Sequence, residues 1–94
     1  KGLFALTVNG DSMIDSFIAD GDMVLLEPVN DPSRLRNGTV VSAMVPGLGT
    51  TLKHFFRDGR VVRLEAANTA YEPIEVDAEQ VHIQGKLAAV WRKT

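Results

Sequence analysis

A serine in a sharp turn and a lysine in an apolar run are the two features of this chain able to supply a nucleophile and its base. The first lies in Val8-Asn9-Gly10-Asp11-Ser12-Met13, the second in Thr50-Thr51-Leu52-Lys53-His54-Phe55. A strand ending at Asn9 and a turn at Gly10 would present the Ser12 hydroxyl, with the backbone N–H groups of Asp11 and Ser12 pointing the same way. Two such amides can hold an oxyanion. The spacing also fits a helix cap, with Asp15 three residues on resembling a capping box, and taken alone it favours the cap. In a strand, Thr51, Lys53 and Phe55 share one face and Leu52, His54 and Phe56 the other. A lysine desolvated among apolar neighbours loses its proton more readily, and a neutral amine within reach of a hydroxyl is a general base. A lysine that snorkels to solvent has no such role, and the local pattern taken alone favours snorkelling. A triad of Ser12, His54 and an aspartate competes for the same serine. Lys53 and His54 point to opposite faces, so only one of them serves Ser12. The triad has little support, because Gly10-Asp11-Ser12-Met13-Ile14 lacks the second glycine of a nucleophile elbow. Position 15 is Asp, so no Ser-x-x-Lys motif is present either.

The elements that must position these residues are short. Turn signals recur at Asn9-Gly10, Asp20-Gly21-Asp22, Asn30-Asp31-Pro32, Asn37-Gly38, Pro46-Gly47-Leu48-Gly49 and Asp58-Gly59, with runs rich in Val, Leu, Ile and Thr between them. This pattern predicts a mostly β domain with strands near 3–8, 23–28, 39–45, 50–57, 60–66 and 81–92. Asp58-Gly59 reads as a type I′ hairpin turn. A short turn from Ser12 to about Phe17 is the helical candidate. The last strand alternates most clearly, with Val81, Ile83, Gly85, Leu87, Ala89 and Trp91 on the expected core face. Its other face ends in Ala88 and Val90, so a second subunit is expected to cover that end.

Bulk properties exclude several function classes. The chain has 94 residues, room for a single domain over 1–94, and 45% of them are apolar. The net charge of −2 and the absence of a run of Lys or Arg argue against direct nucleic-acid binding by this segment. With no cysteine there is no disulfide, thiolate zinc site or cysteine nucleophile. His54 and His82 are too few and too far apart for a metal site, and Asp20-Gly21-Asp22 lacks the spaced carboxylates of a calcium loop. No metal and no cofactor are expected. Asn37-Gly38-Thr39 reads as a turn rather than a glycosylation acceptor. No run reaches the roughly 20 apolar residues of a membrane helix, so a cytoplasmic domain with no membrane partner is expected.

Several motifs then occur in a telling order: Gly10-x-Ser12-Met13, Ile18-x-Asp20-Gly21-Asp22, Gly38-x-Val40-Val41, Thr51-Leu52-Lys53, Leu64-Glu65-x-x-Asn68-x-x-Tyr71-x-Pro73-Ile74 and Val81-x-Ile83-x-Gly85. Together they resemble the catalytic domain of the LexA repressor family, whose relatives include UmuD-type polymerase subunits and cleavable phage repressors. The resemblance implies a curled antiparallel or mixed β-sheet domain of the LexA and signal-peptidase type. It implies that Ser12 attacks, Lys53 is the base, the amides of Asp11 and Ser12 hold the oxyanion, and Thr51 orients Lys53. It also implies self-cleavage of the protein's own N-terminal segment, stimulation by a RecA filament, a homodimer, and DNA contact only through an N-terminal domain outside this chain. In such repressors an Ala-Gly bond upstream of the serine is cut. Only 11 residues precede Ser12 here and none forms that pair, so the chain is expected to begin after the cleavage site. A UmuD-type accessory subunit, a non-catalytic dimerisation domain and a signal peptidase are the rival readings; the lack of a membrane anchor argues against the last.

Overall fold

The computed structural model describes residues 2–92. Seven strands form one sheet in the order β1-β2-β7-β3-β4-β5-β6. In chain order they are β1 (Phe4–Thr7), β2 (Met23–Pro28), β3 (Thr39–Val45), β4 (Gly49–Asp58), β5 (Val61–Glu65), β6 (Ile74–Asp77) and β7 (His82–Trp91). Every pairing is antiparallel, and the helical content is three single 3₁₀ turns at Ile14–Ser16, Pro32–Arg34 and Ala78–Gln80. The mostly β fold expected from the turn spacing is therefore the fold observed. No helix among the described residues is long and apolar enough to cross a membrane.

The two halves of the sheet bury opposite faces. Val41, Ala43, Val45, Phe55, Val62, Leu64 and Ile83 form one core under β3 to β6. Val24 and Leu26 form the other with Met13 and Ile18 from the loop after β1, and Phe4, Leu6, Leu52 and Leu87 pack against it. Residues alternate across a strand, so a sheet covered on both faces carries apolar side chains at odd and even positions alike.

Strand β7 joins the halves and departs from the expected alternation. Leu26 pairs with Leu87 but Leu25 with Ala89, which leaves Ala88 as an extra residue. Ser42 pairs with Gly85 but Ala43 with Ile83, which leaves Gln84 extra. Each bulge inverts the side-chain phase downstream of it. Ile83 thus serves the first core and Leu87 the second, whereas Ala89 and Trp91 lie outside both, Trp91 at 60% exposure. Trp91 is not a core residue. The hairpin at Asp58-Gly59 exists but is shifted by one residue: Asp58 pairs with Val61, so Gly59 and Arg60 are its central positions. Only Gly59 has positive φ, at 59°, which matches a glycine-first turn and not type I′. Strand β6 was not expected, because Ile74-Glu75-Val76-Asp77 is too short for its alternation to stand out.

Candidate active site

Ser12 lies on the loop between β1 and β2. Gly10, with φ 91°, turns the chain as it leaves β1, a conformation open to glycine at little cost. The Asp20 carboxylate accepts from the Gly10 amide at 2.7 Å, and Val8 exchanges backbone bonds with Gly21 and Asp22. Asp22 is 2% exposed and accepts from the Ala19 amide and twice from Arg92, each at 2.8 Å. The Arg92 guanidinium and the Ala19 amide hold its pKa at about 2, against an ordinary 3.8. Asp20-Gly21-Asp22 is thus a structural brace for the serine loop. No metal-binding cluster occurs among the described residues.

Met13 anchors the loop, with its side chain buried at 1% exposure. Met13 also occupies the N-cap position of the 3₁₀ turn Ile14–Ser16, which has no side-chain cap. The Ser12 hydroxyl is therefore not a cap.

Lys53 comes from the middle of β4. Its Nζ lies 3.1 Å from Ser12 Oγ, 2.5 Å from Thr51 Oγ1 and 3.3 Å from the Leu52 carbonyl. Lys53 is 7% exposed, and no carboxylate pairs with it among the described residues. Burial lowers its pKa from the ordinary value, because desolvation disfavours the ammonium and no anion offsets the loss. The structure thus brings together Ser12, Lys53 and Thr51. His54 goes elsewhere: its Nε2 meets Ser16 Oγ and its Nδ1 the Gly38 carbonyl, both at 3.0 Å. Neither ring nitrogen bonds to Ser12, so the Ser–His arrangement is not formed.

The dyad opens into a cleft of about 420 Å³ whose walls include Leu6, Val8, Met13, Leu52 and Tyr71. One rim of the cleft is a free strand edge. β5 pairs with β4 only from His54 onward, so Gly49 to Lys53 have β3 on one side and no strand on the other among the described residues. The backbone amides of Asp11 and Ser12 donate to no other group among the described residues.

Two residues that carried no role in the sequence reading contact the serine loop. Asn68 Nδ2 donates to the Asp11 carbonyl at 2.9 Å, and the Tyr71 hydroxyl donates to the Asp11 carboxylate at 2.6 Å. Both stood in the motif Asn68-x-x-Tyr71. Their spacing was the only available signal, since their partner lies 57 to 60 positions away.

A buried lysine bonded to a serine hydroxyl, beside two unclaimed amides, is the equipment of a serine hydrolase. Comparison with known proteins agrees. The Peptidase S24-like family model matches residues 1–88. The chain is 44% identical over 93 residues to a LexA repressor of Koribacter versatilis, an alignment covering 99% of this chain and 43% of that protein. It is 41% identical over 90 residues to a LexA repressor of Zymomonas mobilis, covering 96% and 40%. A LexA repressor of Clostridium novyi is 39% identical over 93 residues, covering 99% and 44%. The chain spans less than half the length of these relatives. Its fold, its site and these matches together place the chain in the Peptidase S24-like family, among domains of the LexA type.

Proposed function

We propose that this domain hydrolyses a peptide bond in the N-terminal segment of its own protein, using Ser12 as nucleophile and Lys53 as general base. The approach of Lys53 Nζ to Ser12 Oγ at 3.1 Å, in a site where the lysine is buried with no counter-ion among the described residues, carries the proposal. Neutral Lys53 takes the Ser12 proton as Oγ bonds to the scissile carbonyl carbon. The amides of Asp11 and Ser12 receive the negative oxygen. The C–N bond then breaks and the Lys53 ammonium returns its proton to the departing amine. Water repeats the sequence on the acyl-enzyme, giving up a proton to Lys53, and release of Ser12 leaves a carboxylate product. Thr51 Oγ1 fixes the lysine's direction. The free edge of β4 suits an extended substrate segment, which would add to it as a strand.

The relatives, which are named LexA repressors, support a wider role as a repressor. In our reading the full-length protein is a repressor of the DNA-damage response, with its DNA contact in a separate N-terminal region. Its cleavage is promoted by an activated RecA filament. The domain dimerises through the end of β7, where Val90 and Trp91 are 41% and 60% exposed and Met23 pairs beside them at 36%. The names of these relatives favour a repressor over a polymerase accessory subunit.

The test is cleavage of the full-length protein in isolation, followed by gel and mass spectrometry across pH. Cleavage should accelerate as pH rises and level off below the ordinary lysine pKa of 10.5, because the neutral amine is the active form. Ser12→Ala and Lys53→Ala should both abolish it. Undiminished cleavage by the Lys53→Ala protein would refute the dyad.

A further inference from the structure

The peptide linking Asp11 to Ser12 is held through both lone pairs of its carbonyl oxygen. The Asp11 oxygen accepts from Asn68 Nδ2 at 2.9 Å and from the Ile14 amide at 3.2 Å. A carbonyl oxygen has two lone pairs, so these donors fill it. The same planar, trans peptide carries the Ser12 N–H on the side opposite that oxygen. Fixing the carbonyl therefore fixes the amide, which has no partner of its own among the described residues. A flip of this peptide would break both bonds and turn the oxygen toward the reacting group, where it would repel developing negative charge.

The Asp11 side chain raises a second difficulty. A carboxylate one residue before the nucleophile disfavours an oxyanion nearby. Tyr71 answers it by donating its hydroxyl to Asp11 Oδ1 at 2.6 Å. The carboxylate in turn raises the Tyr71 pKa, so the tyrosine keeps its proton. Asn68 is braced for its part: its Oδ1 accepts from the Ala70 amide at 2.9 Å, which leaves the Nδ2 end directed at Asp11.

We propose that Asn68 and Tyr71 are positioning residues for the oxyanion hole: Asn68 locks the Asp11–Ser12 peptide with its amide toward the substrate, and Tyr71 holds the adjacent carboxylate and disperses its charge. The inference rests on the dyad reading above, and the experiment separates the two. Cleavage rates of the full-length protein are measured against pH for wild type, Asn68→Asp, Asn68→Ala, Tyr71→Phe, Asp11→Asn and the Asp11→Asn/Tyr71→Phe pair, with Ser12→Ala as reference. Asn68→Asp keeps the acceptor for Ala70 and loses the donor to Asp11; Asn68→Ala removes the donor without adding charge. Both should lower the plateau rate at high pH roughly ten- to a hundredfold, somewhat less than loss of an oxyanion donor itself. The thermal midpoint of each should stay within a few degrees of wild type. Tyr71→Phe should slow cleavage roughly three- to tenfold, and that loss should vanish when position 11 is Asn, because no carboxylate charge remains to disperse. Wild-type plateau rates in both Asn68 variants, or an equal Tyr71→Phe loss in the Asp11→Asn background, would overturn the clamp. Persistent cleavage in Ser12→Ala would instead overturn the dyad reading beneath it.

Discussion

Lys53 shows how one residue's role depends on partners that its own segment does not contain. Its sequence context alone favours a snorkelling side chain over a base. The loop that decides between them comes from 41 positions earlier in the chain, and only folding brings Ser12 over the amine. Burying that amine costs stability. Its folded pKa lies below the ordinary 10.5, so between those two values the unfolded chain binds more protons than the folded one. Stability attributable to Lys53 therefore rises with pH through that window, and the burden is greatest at neutral pH and below. Lys53→Met, which fills similar volume without charge, should stabilise the domain by on the order of 1 kcal/mol at pH 7. Urea denaturation at pH 7 and pH 10 checks this, and the advantage should shrink at the higher pH.

Most strands are visible as apolar runs between turn residues, and β3 falls where the sequence places it, at Thr39–Val45. Strand β7 marks the boundary of what pattern can reveal. Perfect alternation from Val81 to Trp91 predicts one continuous core face, but bulges at Gln84 and Ala88 are produced by pairing with two neighbouring strands and leave no local signature. Gly85 stands between them for a steric reason. A Cβ there would lie 2.8 Å from Phe4 Cζ and 3.0 Å from the Glu27 carbonyl. Gly85→Ala should therefore destabilise the domain by about 1–3 kcal/mol, as overpacking does. The same substitution with Phe4→Leu should recover part of the loss, since the ring is the nearer obstacle; thermal unfolding of both proteins measures it. For the candidate site, the ordered motifs pointed to Ser12, Lys53, Thr51 and Asp11. The bonds from Asn68 and Tyr71 were hidden because they cross between β5–β6 and the serine loop.

At the scale of the whole molecule, Arg92 ties the end of the chain to its beginning. It spans 70 positions to reach Asp22 and also donates to the Phe17 carbonyl. Asp22 has a folded pKa of about 2 against 3.8, so its contribution is complete above pH 3.8 and disappears as pH falls toward 2 and below. Asp22→Asn should be less stable than wild type at pH 7, with a difference that narrows in that acid interval, as chemical denaturation from pH 7 to pH 2 would measure. The brace holds the serine loop, so the same variant should also cleave more slowly. The half-paired edge of β4 has a different consequence, one of supply. An unpaired strand edge engages backbone groups, which every peptide possesses, and so offers little discrimination by itself. A segment tethered to the same chain meets that edge at an effective concentration on the order of millimolar, whereas a free peptide must reach it by diffusion. On the proposed function, such a protease would need little intrinsic affinity to act on itself, and weak affinity would leave passing proteins uncut. Its selectivity would then reside in the length and stiffness of a linker rather than in the pocket.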